Sequence, residues 1–86
     1  MTQLLKLHDD DNVAIALEPL QQGQHLSLDT SSIILAAAPI DVMHKIAISS
    51  IDKGQPIKKY GHTIGVANQD IQAGEHVHTH NCVMSD

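Results

Sequence analysis

Phenylalanine and tryptophan are missing from this chain, and tyrosine occurs once, at Tyr60. Aromatic rings bury the most area per residue, so the core falls to aliphatic side chains and alanines, each of which buries less. The chain has 86 residues. At that size only about 60% of the unfolded surface is covered on folding. A ringless core therefore predicts modest stability and reliance on a second copy, a sister subunit or the remainder of a longer chain. A homodimer, the commonest closed assembly, is the expected form. Tyr60 itself reads as a core residue with its hydroxyl satisfied. Cysteine is also single, Cys82, which excludes an internal disulfide and gives no sign of an oxidising compartment. Five basic residues against ten acidic ones, a net charge of −5, cannot form an extended phosphate-tracking stripe, which argues against a nucleic-acid partner. No apolar run approaches membrane-spanning length, and no basic region followed by an apolar run opens the chain. The expectation is a cytoplasmic protein without membrane contact, a single domain over residues 1–86.

What is present is a repeated device. Val13-Ala14-Ile15-Ala16-Leu17 leads to Leu20, Gly23 and Leu26; Ile46-Ala47-Ile48 leads to Ile51, Gly54 and Ile57; Ile64-Gly65-Val66-Ala67 leads to Ile71, Gly74 and Val77. Glycine at one offset, three times, predicts one turn geometry with positive φ. The units are too dissimilar and too unevenly spaced for a solenoid. Large residues alternate with alanine or glycine in each strand, where a half-exposed strand would carry polar groups. Both strand faces are therefore expected to be covered. Leu5 and Leu7 alternate with Lys6 and His8 as a short half-buried strand, and Asp9-Asp10-Asp11-Asn12 reads as a solvated turn. Ile33 to Leu35 reads as strand, with a loop from Ala36 to Pro39. The fold class that follows is mainly β, with short strands and little helix.

Three histidines, His76, His78 and His80, occupy alternate positions after the Gly74 turn, a spacing that in an extended chain sends all three rings to one side. A His-x-His pair is a good partial chelate. His76 and His80 would be too far apart on a strand for one small ion, so His44 is the better third donor. From spacing alone, a hydrogen-bonded structural cluster or a polar surface is the simpler reading.

Lys59-Tyr60-Gly61, the small-residue strand, Asp70-Ile71, Ala73-Gly74 and the string His76-Val77-His78-Thr79-His80-Asn81 together resemble the SAF-type domain of altronate and galactarate dehydratases. Their small-subunit relatives, including the small subunit of sulfolactate sulfo-lyase, are similar. Asp11-Asn12-Val13-Ala14 and His44-Lys45 fit as well, whereas Met43 stands where the family usually has glycine, and methionine resists positive φ. The resemblance implies a β-clip-like SAF domain. It implies a domain or small subunit of a lyase that removes water from a sugar acid to give a 2-keto-3-deoxy acid, working with a large catalytic body and a divalent metal, iron or manganese. It further implies His78 and His80 as catalytic groups, His44, His78 and His80 as candidate metal ligands, and Lys45, Lys59 and Asn81 as candidate substrate contacts. A sulfo-lyase small subunit, or a non-catalytic carbohydrate-binding or assembly module, are the alternatives. The family string ends at Asn81, so Cys82 reads as incidental.

Overall fold

The structure, a computed structural model, describes residues 4–6, 8–27, 33–78 and 80–84, with Met84 described by its backbone alone. The described residues contain no helix. Nine short strands follow in order: β1 (Leu4–Leu5), β2 (Val13–Ala16), β3 (His25–Ser27), β4 (Ile33–Leu35), β5 (Lys45–Ala47), β6 (Pro56–Lys59), β7 (His62–Ala67), β8 (His76–Val77) and β9 (Cys82–Met84). They form an antiparallel sheet in the order β1-β2-β5-β8, a β3-β4 hairpin and a β6-β7-β9 sheet. The expected mainly β class holds.

The four-stranded sheet divides two cores, which explains the alanines between large residues. Leu4, Ala14, Ala16 and Ile46 face Leu20, Leu26, Ala36 and Ile40 on one side. Val13, Ala47 and Val77 face Ile51, Ile57, Ala67, Ile71 and Cys82 on the other. Every residue of β2 is buried, so both faces are covered as the alternation predicts.

Among the described residues the repeated turn occurs four times, not three. Gly23, Gly54 and Gly74 take φ of 83°, 90° and 96°, and Met43 takes 71° at the equivalent place. Each turn closes with an i to i+3 bond, from Gln24, His44, Gln55 and Glu75 back to Gln21, Asp41, Asp52 and Gln72. Positive φ at the third position alone is the type II pattern. The N–H of each positive-φ residue donates to an alanine carbonyl: Gly23 to Ala36, Met43 to Ala16, Gly54 to Ala67 and Gly74 to Ala47. Leu20 pairs with Ile40, and Ile51 with Ile71. The halves therefore correspond at an offset of 31 residues, Ala16 to Ala47, Leu20 to Ile51, Ala36 to Ala67 and Ile40 to Ile71. The spacing looked uneven only because methionine hides the second turn.

Other readings need correction. In β1 it is Leu4 that is buried and Leu5 that is exposed, and His8 lies in the following turn; Leu7 falls outside the described residues. Asp9 and Asp10 are exposed, but Asp11 is 5% exposed and its carboxylate accepts the N–H groups of Tyr60 and Gly61 at 2.9 and 2.8 Å. Asn12 clips the neighbouring strand, accepting Lys58 N–H at 2.8 Å and donating to Pro56 O at 2.9 Å. Tyr60 is not in the core. It is 63% exposed and, with φ of 63° beside Gly61 at 74°, forms the two-residue hairpin turn between Lys59 and His62. Positive φ at both central residues is the type I′ geometry favoured there.

Candidate functional site

β5 and β8 lie side by side, pairing Lys45 with Val77 and Ile46 with His76. The turn that leads into β5 ends at His44. The chain leaving β8 does not stay extended, as the alternating histidines would require, but turns over at His78. Asn81 makes this turn. Its Oδ1 accepts the N–H of His78 at 3.0 Å and its Nδ2 donates to the His76 carbonyl at 2.8 Å. The His78 carbonyl in turn accepts the N–H groups of Asn81 and Cys82. A compact turn brings His76 and His80 together, which a strand would keep apart.

Four imidazoles gather as a result. Ring centroids are 5.0 Å apart for His44 and His76, 5.6 Å for His44 and His78, 5.5 Å for His76 and His78, and 5.7 Å for His76 and His80. His76 and His78 are stacked within 8° of parallel. The closest polar approach is His44 Nδ1 to His76 Nε2, 2.9 Å. Burial, then the neighbouring His44, His78, His80 and Lys45, push the His76 imidazole below its usual pKa. A positive charge placed among these groups is disfavoured, so His76 rests neutral. An open groove of about 510 Å³ runs beside the cluster, with Ala37, Ala38, Pro39, Glu75, His76 and His80 among its lining residues.

The structure gathers the predicted residues unevenly. His44, His78 and His80 are in the cluster, and Lys45 lies close enough to act electrostatically on His76 and Cys82. Lys59 instead adjoins the Tyr60 turn in the β6-β7-β9 sheet, and no hydrogen bond or ring contact joins it to the histidines among the described residues. Asn81, expected as a substrate contact, is 0% exposed with its amide turned onto the backbone, so in this chain it builds the turn. Cys82 is buried, and burial raises its thiol pKa, with Lys45 acting the other way; a thiol kept protonated is a poor nucleophile. Sequence reasoning set His76 aside, although it is the centre of the group. The asparagine that ends the histidine string was the available signal, since Asn readily closes a local turn.

The donor chemistry suits a transition metal, because neutral imidazole binds zinc, iron, copper and nickel. Among the described residues, however, no three His, Cys, Asp or Glu donors converge on one point. The Nδ1 of His44 is already occupied by His76. The set His44, His78 and His80 is not assembled here as a chelate.

A family model described as the altronate/galactarate dehydratase SAF domain matches residues 2–85. The chain belongs to that family. Altronate dehydratase of Bacillus subtilis is 44% identical to this SAF domain over 81 residues, which is 94% of this chain and 16% of the relative. Altronate dehydratase of Escherichia coli is 46% identical over 81 residues, 92% of this chain and 16% of the relative. The alpha subunit of (2R)-sulfolactate sulfo-lyase from Chromohalobacter salexigens is 32% identical over 82 residues, 87% of each chain. The SAF domain thus spans about one sixth of the length of the two altronate dehydratases. No helix among the described residues is long and apolar enough to cross a membrane.

Proposed function

We propose that this SAF domain is part of a sugar-acid hydro-lyase of the altronate or galactarate dehydratase type, and that its histidine cluster borders the active cleft. The observation that carries the reading is the 44–46% identity to altronate dehydratases across more than nine tenths of the chain. The cluster of four imidazoles beside an open groove supports it. Eliminating water from a 2,3-dihydroxy acid requires a proton taken from carbon and a proton delivered to the departing oxygen, and imidazole performs either task near neutral pH. His78 and His80, both exposed at the turn, are the proposed catalytic groups. Lys45 supplies positive charge for the substrate carboxylate.

The remaining machinery, with the divalent metal, iron or manganese, belongs to a large catalytic body. That metal would act as a Lewis acid on the leaving hydroxyl. The exposed Ile33 and Leu35 of β4 and Val83 of β9 offer apolar surface to that body or to a second copy in a homodimer. The cytoplasm is the proposed location. A second reading keeps the cleft and changes the leaving group to sulfite, as in a sulfo-lyase; the 87% mutual coverage with a sulfo-lyase alpha subunit favours it specifically. The deciding experiment is an assay of the chain together with its catalytic body on altronate, galactarate and sulfolactate. Dehydration of a sugar acid is expected. Sulfite release from sulfolactate alone would replace the first reading by the second, and no turnover of any of the three would refute both.

A further inference from the structure

In three of the four turns the residue after the positive-φ position folds its side chain back as a cap. Gln24 Oε1 accepts Gln21 N–H at 2.9 Å, Gln55 Oε1 accepts Asp52 N–H at 3.0 Å, and Glu75 Oε1 accepts Gln72 N–H at 2.8 Å. Two of these caps are neutral amides, so the turn itself does not require a charge. The charged cap stands in the turn that lines the groove, where Gln72 and Glu75 join His76 and His80. The cap engages one carboxylate oxygen. The other, Oε2, makes no hydrogen bond or ion pair among the described residues.

The surroundings make that oxygen selective. Among the described lining residues Glu75 is the single acidic side chain, and no lysine or arginine is present to offset it. Ala37, Ala38 and Pro39 contribute no polar side chain. An ionised carboxylate accepts hydrogen bonds and donates none. A hydroxyl can therefore pair with it directly. A second carboxylate cannot, and the repulsion is stronger in a recess than in open water. The groove volume of about 510 Å³ falls within the range of small-molecule sites. His80, one of the two proposed catalytic groups, lines the same groove, its ring 5.7 Å from that of His76, which follows Glu75 in the chain.

We propose that Glu75 is a specificity-determining residue, which accepts the hydroxylated far end of an aldonic acid and turns away the second carboxylate of an aldaric acid. This deepens the dehydratase reading and rests on it. An aldonic acid such as altronate and an aldaric acid such as galactarate both have six carbons and a carboxylate at carbon 1. At carbon 6 the first has a primary alcohol and the second another carboxylate. With the reacting carbons beside His80, carbon 6 extends along the groove toward Gln72 and Glu75. The alcohol donates to Glu75 Oε2 and accepts from the Gln72 amide. A carboxylate there meets a like charge with no cation beside it. The groove therefore takes monoacids with an uncharged polyol tail.

The test uses the chain assembled with its catalytic body and two pairs of acids that differ only at carbon 6, altronate with altrarate and galactonate with galactarate. The wild type is expected to favour the monoacid of whichever pair it turns over, by at least about tenfold in kcat/KM. Glu75→Gln should keep the turn, because glutamine caps those at Gln24 and Gln55. It should reduce the preference at least about tenfold, chiefly through a lower KM for the diacid, with kcat on the monoacid little changed. A wild type that prefers the diacid would overturn the proposal and leave the dehydratase reading standing. So would an unchanged preference in Glu75→Gln, and a fall in Tm alongside it would show that the charge serves the turn alone. A wild-type assembly inactive on all four acids would overturn both.

Discussion

Replacing single residues at the four equivalent turns separates two backbone effects that usually come mixed. An L-residue in the left-handed region costs about 1–2 kcal/mol, whereas glycine there gives up about 0.5–1 kcal/mol of extra chain entropy on folding. At Gly23 and Gly54 a Cβ would meet nothing within 4 Å, so alanine pays only the difference between these terms, about 0.5–1 kcal/mol. At Gly74 a Cβ would sit on the carbonyl oxygen of Leu35, at the seam where Ala37 N–H donates to Gly74 O. Backbone cannot swing aside as a side chain can, and overpacking of this kind adds about 1–3 kcal/mol. Gly74→Ala should therefore lose about 1.5–4 kcal/mol in total, a large part of a small domain's stability. Met43→Gly runs the other way. Its side chain is 68% exposed, so little burial is lost, and a gain of about 0.5 kcal/mol remains after the entropy term. For a domain of this size that is about 2–4 °C in Tm. Urea titration of the chain by far-ultraviolet dichroism, read as midpoints at constant slope, measures all four. A Gly74→Ala midpoint no lower than that of Gly54→Ala would refute the close approach. A Met43→Gly chain destabilised by more than about 1 kcal/mol would refute the equivalence of the turns.

Three other outcomes are expected. Folded His76 titrates below the unfolded value of about 6.5, so the unfolded chain binds more protons in that interval. Its contribution to stability is present above about pH 6.5 and declines as pH falls from there to the folded pKa; His76→Gln should flatten that slope in pH-dependent melting, and an unchanged slope counts against the cause given. Asp11→Ala removes a buried acceptor of two backbone N–H groups and should cost about 3 kcal/mol in urea unfolding, whereas Asp10→Ala, exposed, should be near neutral. His78→Ala and His80→Ala should each lower turnover of the assembled enzyme at least about tenfold without changing Tm, with His25→Ala as the silent control; wild-type turnover in both would remove them from the cleft.

Much of the fold was legible in the residues. Alanine between Val13, Ile15 and Leu17 announced two covered faces, and Gly23, Gly54 and Gly74 announced the turn. The second turn was not legible, because its signal is glycine's freedom and Met43 takes the same conformation without displaying it. With that turn hidden, the correspondence between halves was hidden too. Tyr60 misled because size argued for burial while its place before Gly61 argued for a hairpin turn, and the backbone prevailed. Asp11 looked like one of three solvated acids, since nothing local shows that its hydrogen-bond donors come from residues 60 and 61. At the site, the histidine string was plain, but its geometry depended on Asn81 bending the chain.

The 31-residue correspondence also bears on where chemistry can arise in such a molecule. Position 44 corresponds to 75, and position 45 to 76. The site therefore sits where matching segments of the two halves adjoin. A seam between two identical copies would carry the same side chains on both sides, and like groups facing one another cannot act as acid and base unless something sets them apart. Here one side reads His44-Lys45 and the other Glu75-His76. The two histidines that meet there stand in unequal settings, His44 followed by Lys45 and His76 preceded by Glu75, while the alanine positions that hold the halves together stay alike. Within one chain the two sides can change independently, which no pair of identical chains allows.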